Sequence, residues 1–242
     1  MHIFVSGLLN VETTSSVRGF PVNYYPIDYN FFGIRSAVSG VAFNIAKALR
    51  TLGAEVLEIP TIQTVPMEEN LTLETAMHQL SRYQWLVFTS PRGVELFFDK
   101  LREEKLDIRS LSGCKLAALG SGTGAALEAR GLFPDLIPEI YDAPHLGRAL
   151  RERLEQGDSV LIPRARQGDP ALLEELGNMA EITEIPLYDT ILEKPAAFDL
   201  AAELREHPQT MAVFTSASTA RGFAAAAGDV MGVTALCIGA QT

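Results

Sequence analysis

The string Val-Phe-Thr-Ser occurs twice, and its two copies put hydroxyl side chains at matching points of the chain. The first copy supplies Thr89 and Ser90, followed directly by Pro91, and the second supplies Thr215 and Ser216. Each copy follows a short apolar run and precedes a segment with a helix-like pattern. Ser and Thr favour the N-cap of a helix, and Pro is favoured at its first position. The two strings therefore predict strand-to-helix corners with unpaired backbone N–H groups.

Two further predicted strand ends carry the same kinds of residue. Gly120, Ser121 and Thr123 lie in the string GSGTG, and Thr242 closes the string CIGAQT. Ligands of open parallel sheets bind outside the carboxyl ends of the strands, where helix N-termini favour anions. A single capped corner is usually structural, but four at corresponding strand ends predict a cleft that holds several carboxylates or phosphates. GSGTG does not match a dinucleotide fingerprint or a P-loop, which argues against a nucleotide site.

Composition narrows the class of protein further. The 242 residues carry a formal net charge of −10 and are 47% hydrophobic, which is typical of globular proteins and unfavourable for nucleic-acid binding. No apolar run approaches the roughly 20 residues of a membrane-spanning helix, and the start lacks a basic signal-peptide region, so we predict a cytoplasmic protein. Cys114 and Cys237 lie in apolar strings and are predicted to be buried. The scattered histidines and cysteines predict no metal site.

An internal repeat organises the chain. Phe88 and Phe214 lie 126 positions apart, and the same offset aligns AEVLEIPTIQT at 54–64 with AEITEIPLYDT at 180–190. Apolar runs that alternate with helix-like segments predict parallel sheets covered by helices on both faces. We therefore expect two copies of one α/β unit.

The two E-I-P segments are predicted to be strands that leave one domain for the other. The predicted fold is α/β, with two flavodoxin-like parallel-sheet domains joined by a two-strand linker. The first domain is discontinuous and comprises residues 1–61 and 188–242. The second, residues 62–187, is inserted into it.

From about residue 54 onward, over roughly three quarters of its length, the chain resembles the uroporphyrinogen-III synthase family. The motifs that carry the resemblance are, in order, LGAEVLEIPTIQT, WLVFTSPRGVELFF, LAALGSGTGAAL, PDLIPEIYDAPHL, VLIPRA, EIPLYDT, VFTSAST and CIGAQT. The resemblance implies a lyase of tetrapyrrole and heme biosynthesis that uses no cofactor. Its substrate would be hydroxymethylbilane, a linear tetrapyrrole with eight carboxylates, which is closed into uroporphyrinogen III with inversion of the last ring. Loss of the hydroxymethyl oxygen would generate an azafulvene cation, and a spiro intermediate would then form, fragment and reclose.

The resemblance also implies roles for individual residues. Tyr188 in PLYDT matches a tyrosine that faces the family's cleft, and its phenol would donate a proton to the departing hydroxyl. The alternative is an aromatic side chain that packs between the domains. The strand-end hydroxyl residues named above would face the substrate. Arg164 in IPRA would pair with a substrate carboxylate, or form a surface ion pair with Asp169 or Glu174. The predicted partner is thus a linear tetrapyrrole polyanion, bound by a monomer.

The beginning of the chain departs from this pattern. Residues 1–53 resemble the start of a ribokinase-like (PfkB-type) sugar kinase, notably at Gly40 and Asn44 in SGVAFNIAKAL. The second kinase signature is represented only by AAAAGDV, which we interpret as a helix that ends at Gly228. Because synthases continue beyond CIGAQT, we also expect an uncovered sheet edge beside ALCIG. Three hypotheses stay open: a synthase with impaired activity, a PfkB-type carbohydrate kinase, and an inactive chimera or fragment that at most binds tetrapyrrole polyanions.

Overall fold

Strands and helices alternate through most of the chain, as the sequence pattern predicts. The computed structural model describes residues 2–6, 10–15, 34–39, 41–67, 70–193, 198–229 and 232–237. The described strands are, in chain order, β1 His2–Ser6, β2 Asn10–Ser15, β3 Ile34–Ser39, β4 Glu55–Glu58, β5 Ile62–Pro66, β6 Trp85–Phe88, β7 Lys115–Ala118, β8 Asp158–Ala165, β9 Ala180–Leu192, β10 Met211–Phe214 and β11 Thr234–Cys237. The described α-helices are α1 Val41–Thr51, α2 Leu71–Met77, α3 Pro91–Glu103, α4 Ser121–Glu128, α5 Ala143–Arg151, α6 Ala171–Leu176, α7 Leu200–Glu206 and α8 Ala217–Ala227. Short 3-10 helices span Leu80–Arg82 and Ile108–Leu111.

The chain divides into two compact units, and the first combines Met1–Gln63 with Ile191–Thr242. Its described sheet has four parallel strands in the order β11-β10-β1-β4. Strands β2 and β3 form a separate antiparallel pair. The segment that resembles a sugar kinase thus contributes β1 to the same sheet as β4 and β10, which belong to the synthase-like sequence.

The second unit is Thr64–Thr190, and its sheet has the strand order β5-β9-β8-β6-β7. Strand β6 is parallel to β7 and β8, and β8 is parallel to β9. The edge pair β5 and β9 is antiparallel, because Met67 donates its N–H to the Leu187 carbonyl while Glu193 donates to the Thr61 carbonyl. The sheet is therefore mostly parallel, with one antiparallel pair at its edge.

Strand β6 shows why these apolar strings form central strands. Trp85 and Val87 belong to one core cluster, whereas Leu86 and Phe88 belong to another. Successive side chains of a strand point to opposite faces of the sheet, so both faces of β6 are covered. A strand that is buried on both faces needs a continuous apolar sequence.

The predicted burial of ALC, the described part of the ALCIG string, is wrong. All four residues of β11 are exposed, and Leu236 retains 52% of its accessible surface. The reason is its position, since β11 is the outermost strand of the sheet in the described part of the chain. Cys237 is consequently exposed, and Cys114 is only partly buried.

None of the helices in the described ranges is both long enough and apolar enough to span a membrane. In the same ranges, no group of three or more His, Cys, Asp and Glu side chains is arranged to hold a metal ion.

Candidate functional site

The first Thr-Ser corner joins β6 to α3, and Ser90 is the N-cap of the helix, as predicted. Its backbone is extended, with φ −154° and ψ 152°, and its Oγ accepts a hydrogen bond from the Gly93 N–H at 3.0 Å. Pro91 occupies the start of the helix, where no backbone donor is required. Thr89, which precedes the cap, is half-buried. A Cβ at position 93 would lie 3.2 Å from Ser90 Oγ, so glycine permits this close approach.

The second corner joins β10 to α8 and has the same cap conformation. Ser216 has φ −165° and ψ 161°, and its Oγ accepts a hydrogen bond from the Thr219 N–H. Thr219 Oγ1 accepts in turn from the Ser216 N–H at 3.1 Å, which completes a capping box. Thr215 and Ser216 are both half-buried. The two Val-Phe-Thr-Ser strings therefore form equivalent corners, one in each unit.

The Gly120 corner joins β7 to α4 and lacks a side-chain cap. Gly120 is the N-cap residue in an extended conformation. A Cβ at this position would lie 3.0 Å from Cγ of Tyr141, so the aromatic ring packs directly on the glycine. Ser121 is exposed, whereas Thr123 is only 4% exposed. The burial of Thr123 favours a packing role over ligand contact. Thr242 lies outside the described residues.

Tyr188 and Ser90 form a hydroxyl pair at the end of β6. The Tyr188 Oη lies 2.9 Å from Ser90 Oγ, and either oxygen can be the donor. Tyr188 is only 6% exposed, and burial raises the pKa of its phenol. The hydrogen bond to Ser90 and the positive charge of Arg92 act in the opposite direction, while Glu95 raises the pKa further. The phenol is protonated at neutral pH, as an ordinary tyrosine is, and its raised pKa makes it a weaker acid than an exposed tyrosine.

A bulge in β9 sets the direction of the Tyr188 side chain. Arg164 on β8 is opposite Pro186, but Ala165 is opposite Tyr188, so Leu187 is an extra residue in β9. As a result, Leu187 and Tyr188 belong to the same core cluster although they are consecutive in sequence. Bulges commonly redirect side chains next to functional sites.

The hydroxyl pair is present in only one copy of the repeat. The 126-residue offset aligns Tyr188 with Ile62 and Ser90 with Ser216. The Ser216 hydroxyl instead lies 2.9 Å from the Ser218 hydroxyl. The two corners thus share a backbone cap, but the aligned sequence provides a phenol only for the first.

Arg164 is not at the surface, and the prediction of a surface ion pair with Asp169 or Glu174 is wrong. The residue is 3% exposed, and its Nε donates to Glu184 Oε1 at 2.6 Å. Its Nη1 donates to the backbone carbonyl of Asp169 at 2.7 Å. Because β8 lies inside the sheet next to β9, the side chain is enclosed. Glu184 belongs to β9, and Asp169 lies in the segment between β8 and α6. This placement favours a structural role over binding of a substrate carboxylate.

Sequence reasoning did not single out Arg92 and Glu95, which lie in the first turns of α3. Their side chains form an ion pair with 3.0 Å between Nη1 and Oε2. The Arg92 Nε is buried and has no hydrogen-bond partner among the described residues. In the sequence, Arg92 stands out only as a cation two positions after the predicted N-cap Ser90. A charged residue at that position usually lies on the solvent-exposed face of a helix.

The sheets and their capped corners define an α/β protein whose described sheets are mostly parallel. The model of the uroporphyrinogen-III synthase HemD family matches residues 44–242, and the chain belongs to that family. Residues 1–43 lie outside the match, so the resemblance of residues 1–53 to a sugar kinase stays a prediction.

Similarity to individual proteins supports the assignment of the chain to this family. The chain is 35% identical over 201 residues to the porphyrin biosynthesis protein HemD of Ruminiclostridium josui, covering 82% of this chain but only 40% of that protein. It is 26% identical to the uroporphyrinogen-III synthase of Synechococcus elongatus, covering 83% of this chain and 76% of that protein. A solved structure of a mutant uroporphyrinogen III synthase from Thermus thermophilus matches with a TM-score of 0.59 and 19% identity, covering 81% of this chain and 80% of that chain. This last similarity concerns the fold alone.

Proposed function

We propose that this chain closes hydroxymethylbilane into uroporphyrinogen III with inversion of the last ring. Family membership and the relatives named as uroporphyrinogen-III synthases support the reaction. The observation that carries it for this chain is the buried hydroxyl pair of Tyr188 and Ser90, 2.9 Å apart at a strand-to-helix corner. The corner combines a proton donor with the anion-favouring N-terminus of a helix of thirteen residues.

In the proposed reaction Tyr188 is the general acid. Its phenol donates a proton to the hydroxyl group that leaves the substrate, the C–O bond breaks, and water departs from the azafulvene cation. Ser90 orients the phenol, which is protonated at neutral pH as an ordinary tyrosine is. The remaining rate gain comes from holding a flexible polyanion in a shape that can close.

We extend the proposal to the residues at the other strand ends. Backbone N–H groups and hydroxyls at these corners bind the acetate and propionate groups of the substrate; the residues that supply them are Thr89, Gly120, Ser121, Thr215 and Ser216. Pro91 has neither group, and it contributes to the site by fixing the start of α3. The finer division into two flavodoxin-like domains, with boundaries after residues 61 and 187, is part of the same proposal. We also propose that the chain acts as a monomer.

The test is an assay on hydroxymethylbilane that separates the type III product from the type I isomer of uncatalysed closure. The Tyr188→Phe variant is expected to lose about 10²- to 10⁴-fold in kcat, the usual contribution of a general acid. Tyr83→Phe is the matched control, because Tyr83 is also buried in the second unit, whereas the tyrosine that is hydrogen-bonded to Ser90 is Tyr188. Formation of type I product alone by the unsubstituted chain would refute the proposed reaction. An active Tyr188→Phe variant would refute only the role of Tyr188.

The described contacts favour no second function. The string AAAAGDV, which resembles part of the kinase signature, is the end of α8. Gly228 is the C-cap residue with φ 62°, as predicted, a conformation that glycine adopts readily. A helix terminus of this kind needs no kinase chemistry to explain it.

A further inference from the structure

Arg92 has one side-chain nitrogen that is buried without a hydrogen-bond partner among the described residues. Its Nη1 is held by Glu95 at 3.0 Å, but its Nε is shielded from solvent and has no acceptor among the described residues. Buried polar groups almost always have a hydrogen-bond partner, so an unpaired N–H on a charged group requires an explanation. The side chain as a whole is 30% exposed, so the guanidinium is not locked in a core.

The position of Arg92 links it to the hydroxyl pair. Arg92 is the second residue of α3, two positions after Ser90, whose Oγ lies 2.9 Å from the Tyr188 Oη. Among the described residues, Arg92 and Glu95 are charged groups that act on the Tyr188 phenol; Arg92 lowers its pKa and Glu95 raises it, after the larger effects of burial and of the Ser90 hydrogen bond. On the β8 side, Arg166 donates its backbone N–H to the Tyr188 carbonyl, and its side chain pairs with Asp189 at 3.2 Å. Both cations thus have an acidic partner, but within the described residues only Arg92 also has a buried nitrogen without a hydrogen-bond partner.

We propose that Arg92 is a positioning residue that stabilises the negative charge developing on the Tyr188 oxygen during proton donation. The proposal rests on the proposed function, in which the Tyr188 O–H bond breaks and its proton goes to the hydroxyl oxygen of the substrate. The C–O bond then breaks with its electron pair on that oxygen, and water leaves. The substrate is left with a positive charge and Tyr188 with a negative one. Fixed cationic groups aimed at developing charge are among the largest contributors to catalysis.

The unpaired Nε–H suits this role. A guanidinium that already used Nε in a hydrogen bond would have to break it before that N–H could serve the phenolate, whereas Arg92 has no such bond to any residue that the structure describes. Glu95 holds the other end of the group, so the guanidinium stays near the corner while its Nε is unoccupied. The carboxylate of Glu95 also opposes charge on Tyr188, which limits ionisation of the phenol in the free protein.

The ionisation of Tyr188 in the free protein tests the electrostatic part without any substrate. The chain, with its six tyrosines labelled as difluorotyrosine to bring ionisation into a stable pH range, is titrated by fluorine NMR. The Tyr188→Phe variant identifies the resonance. Arg92→Met should raise the pKa of residue 188, because it removes a cation that favours the phenolate. Glu95→Gln should lower it, because it removes an anion that disfavours the phenolate.

Kinetics on hydroxymethylbilane test the catalytic part. Arg92→Met should lower kcat about tenfold with little change in KM, a smaller loss than for a donor in direct contact with the reacting atoms. Arg92→Lys, which keeps the charge, should recover part of that loss. The matched control is Arg102→Met, which removes an exposed cation from the same helix that pairs with Asp99 at 2.9 Å. It should change neither kcat nor the titration of residue 188.

Several outcomes would overturn the proposal. One is a shift of the residue 188 titration in the same direction for Arg92→Met and Glu95→Gln, or no shift for either. Another is a rise in KM with unchanged kcat in Arg92→Met, which would make Arg92 a substrate-binding residue instead. If Arg92→Met does not fold, Glu95→Gln still has to lower the pKa. An inactive unsubstituted chain would refute the proposed function and with it the catalytic role, while the titration would still decide the electrostatic part.

Discussion

The hydroxyl pair predicts an energetic coupling that single substitutions would not reveal. Ser90→Ala removes the cap bond to Gly93, which costs about 1 kcal/mol. It also leaves the buried Tyr188 hydroxyl, 2.9 Å from Ser90 Oγ, without this partner, which costs a further ~1–3 kcal/mol. Tyr188→Phe removes only the hydroxyl and leaves Ser90 to cap α3, so its cost is about 1 kcal/mol.

The double variant has no orphaned hydroxyl, so it loses only the cap and the hydrogen bond, about 2 kcal/mol in all. Its destabilisation should therefore be smaller than the sum of the single variants by at least ~1 kcal/mol. The assay is urea unfolding followed by fluorescence of Trp85, the only tryptophan of the chain. Trp85 is 1% exposed and lies in β6, which leads into this corner, so it reports on the relevant unit.

A second cycle in the same unit is the control. Asp142 caps α5 by accepting a hydrogen bond from the His145 N–H at 2.8 Å, independently of Tyr188. Asp142→Ala and Tyr188→Phe should therefore be additive to within about 0.5 kcal/mol. If the Ser90 cycle were equally additive, the hydroxyl pair would contribute nothing to stability. The reasoning that Ser90 orients the phenol would then be refuted.

Two further predictions concern packing and thiol reactivity. Gly222 packs so closely on Thr61 that a Cβ would overlap its carbonyl oxygen, so Gly222→Ala should destabilise the fold by about 1–3 kcal/mol. Gly113→Ala should not destabilise the fold, because a Cβ at position 113 would have no other atom within 4 Å. Equal urea midpoints for the two variants, measured by circular dichroism, would contradict this prediction. Burial and a nearby carboxylate raise the pKa of Cys114 to about 12, so its thiolate fraction at pH 8 is roughly a thousandfold below that of an ordinary thiol. Iodoacetamide should therefore modify exposed Cys237 first, and equal rates by peptide mass spectrometry would show that Cys114 is not protected.

Local chemistry made much of the fold predictable. The apolar string of β6 predicts a strand buried on both faces, and the Thr-Ser pairs predict helix caps, because both features depend on residues close in sequence. The offset between Phe88 and Phe214 likewise predicts equivalent corners. The string that forms β11 shows the limit of this reasoning. Its composition is that of a buried strand, but burial depends on which strands lie beside it, and β11 is at the edge of its described sheet.

The sequence by itself determined the caps, the repeat and the strand-to-helix corners. Only the tertiary structure decided that Ser90 meets Tyr188, 98 positions later, and that Arg164 is enclosed with Glu184. The physical reason is register. Side chains alternate between the faces of a strand, so one extra residue reverses the direction of every side chain beyond it. The extra residue in β9 is Leu187, and its bulge puts Tyr188 in the core cluster that also contains Phe88, at the end of the strand that leads to Ser90.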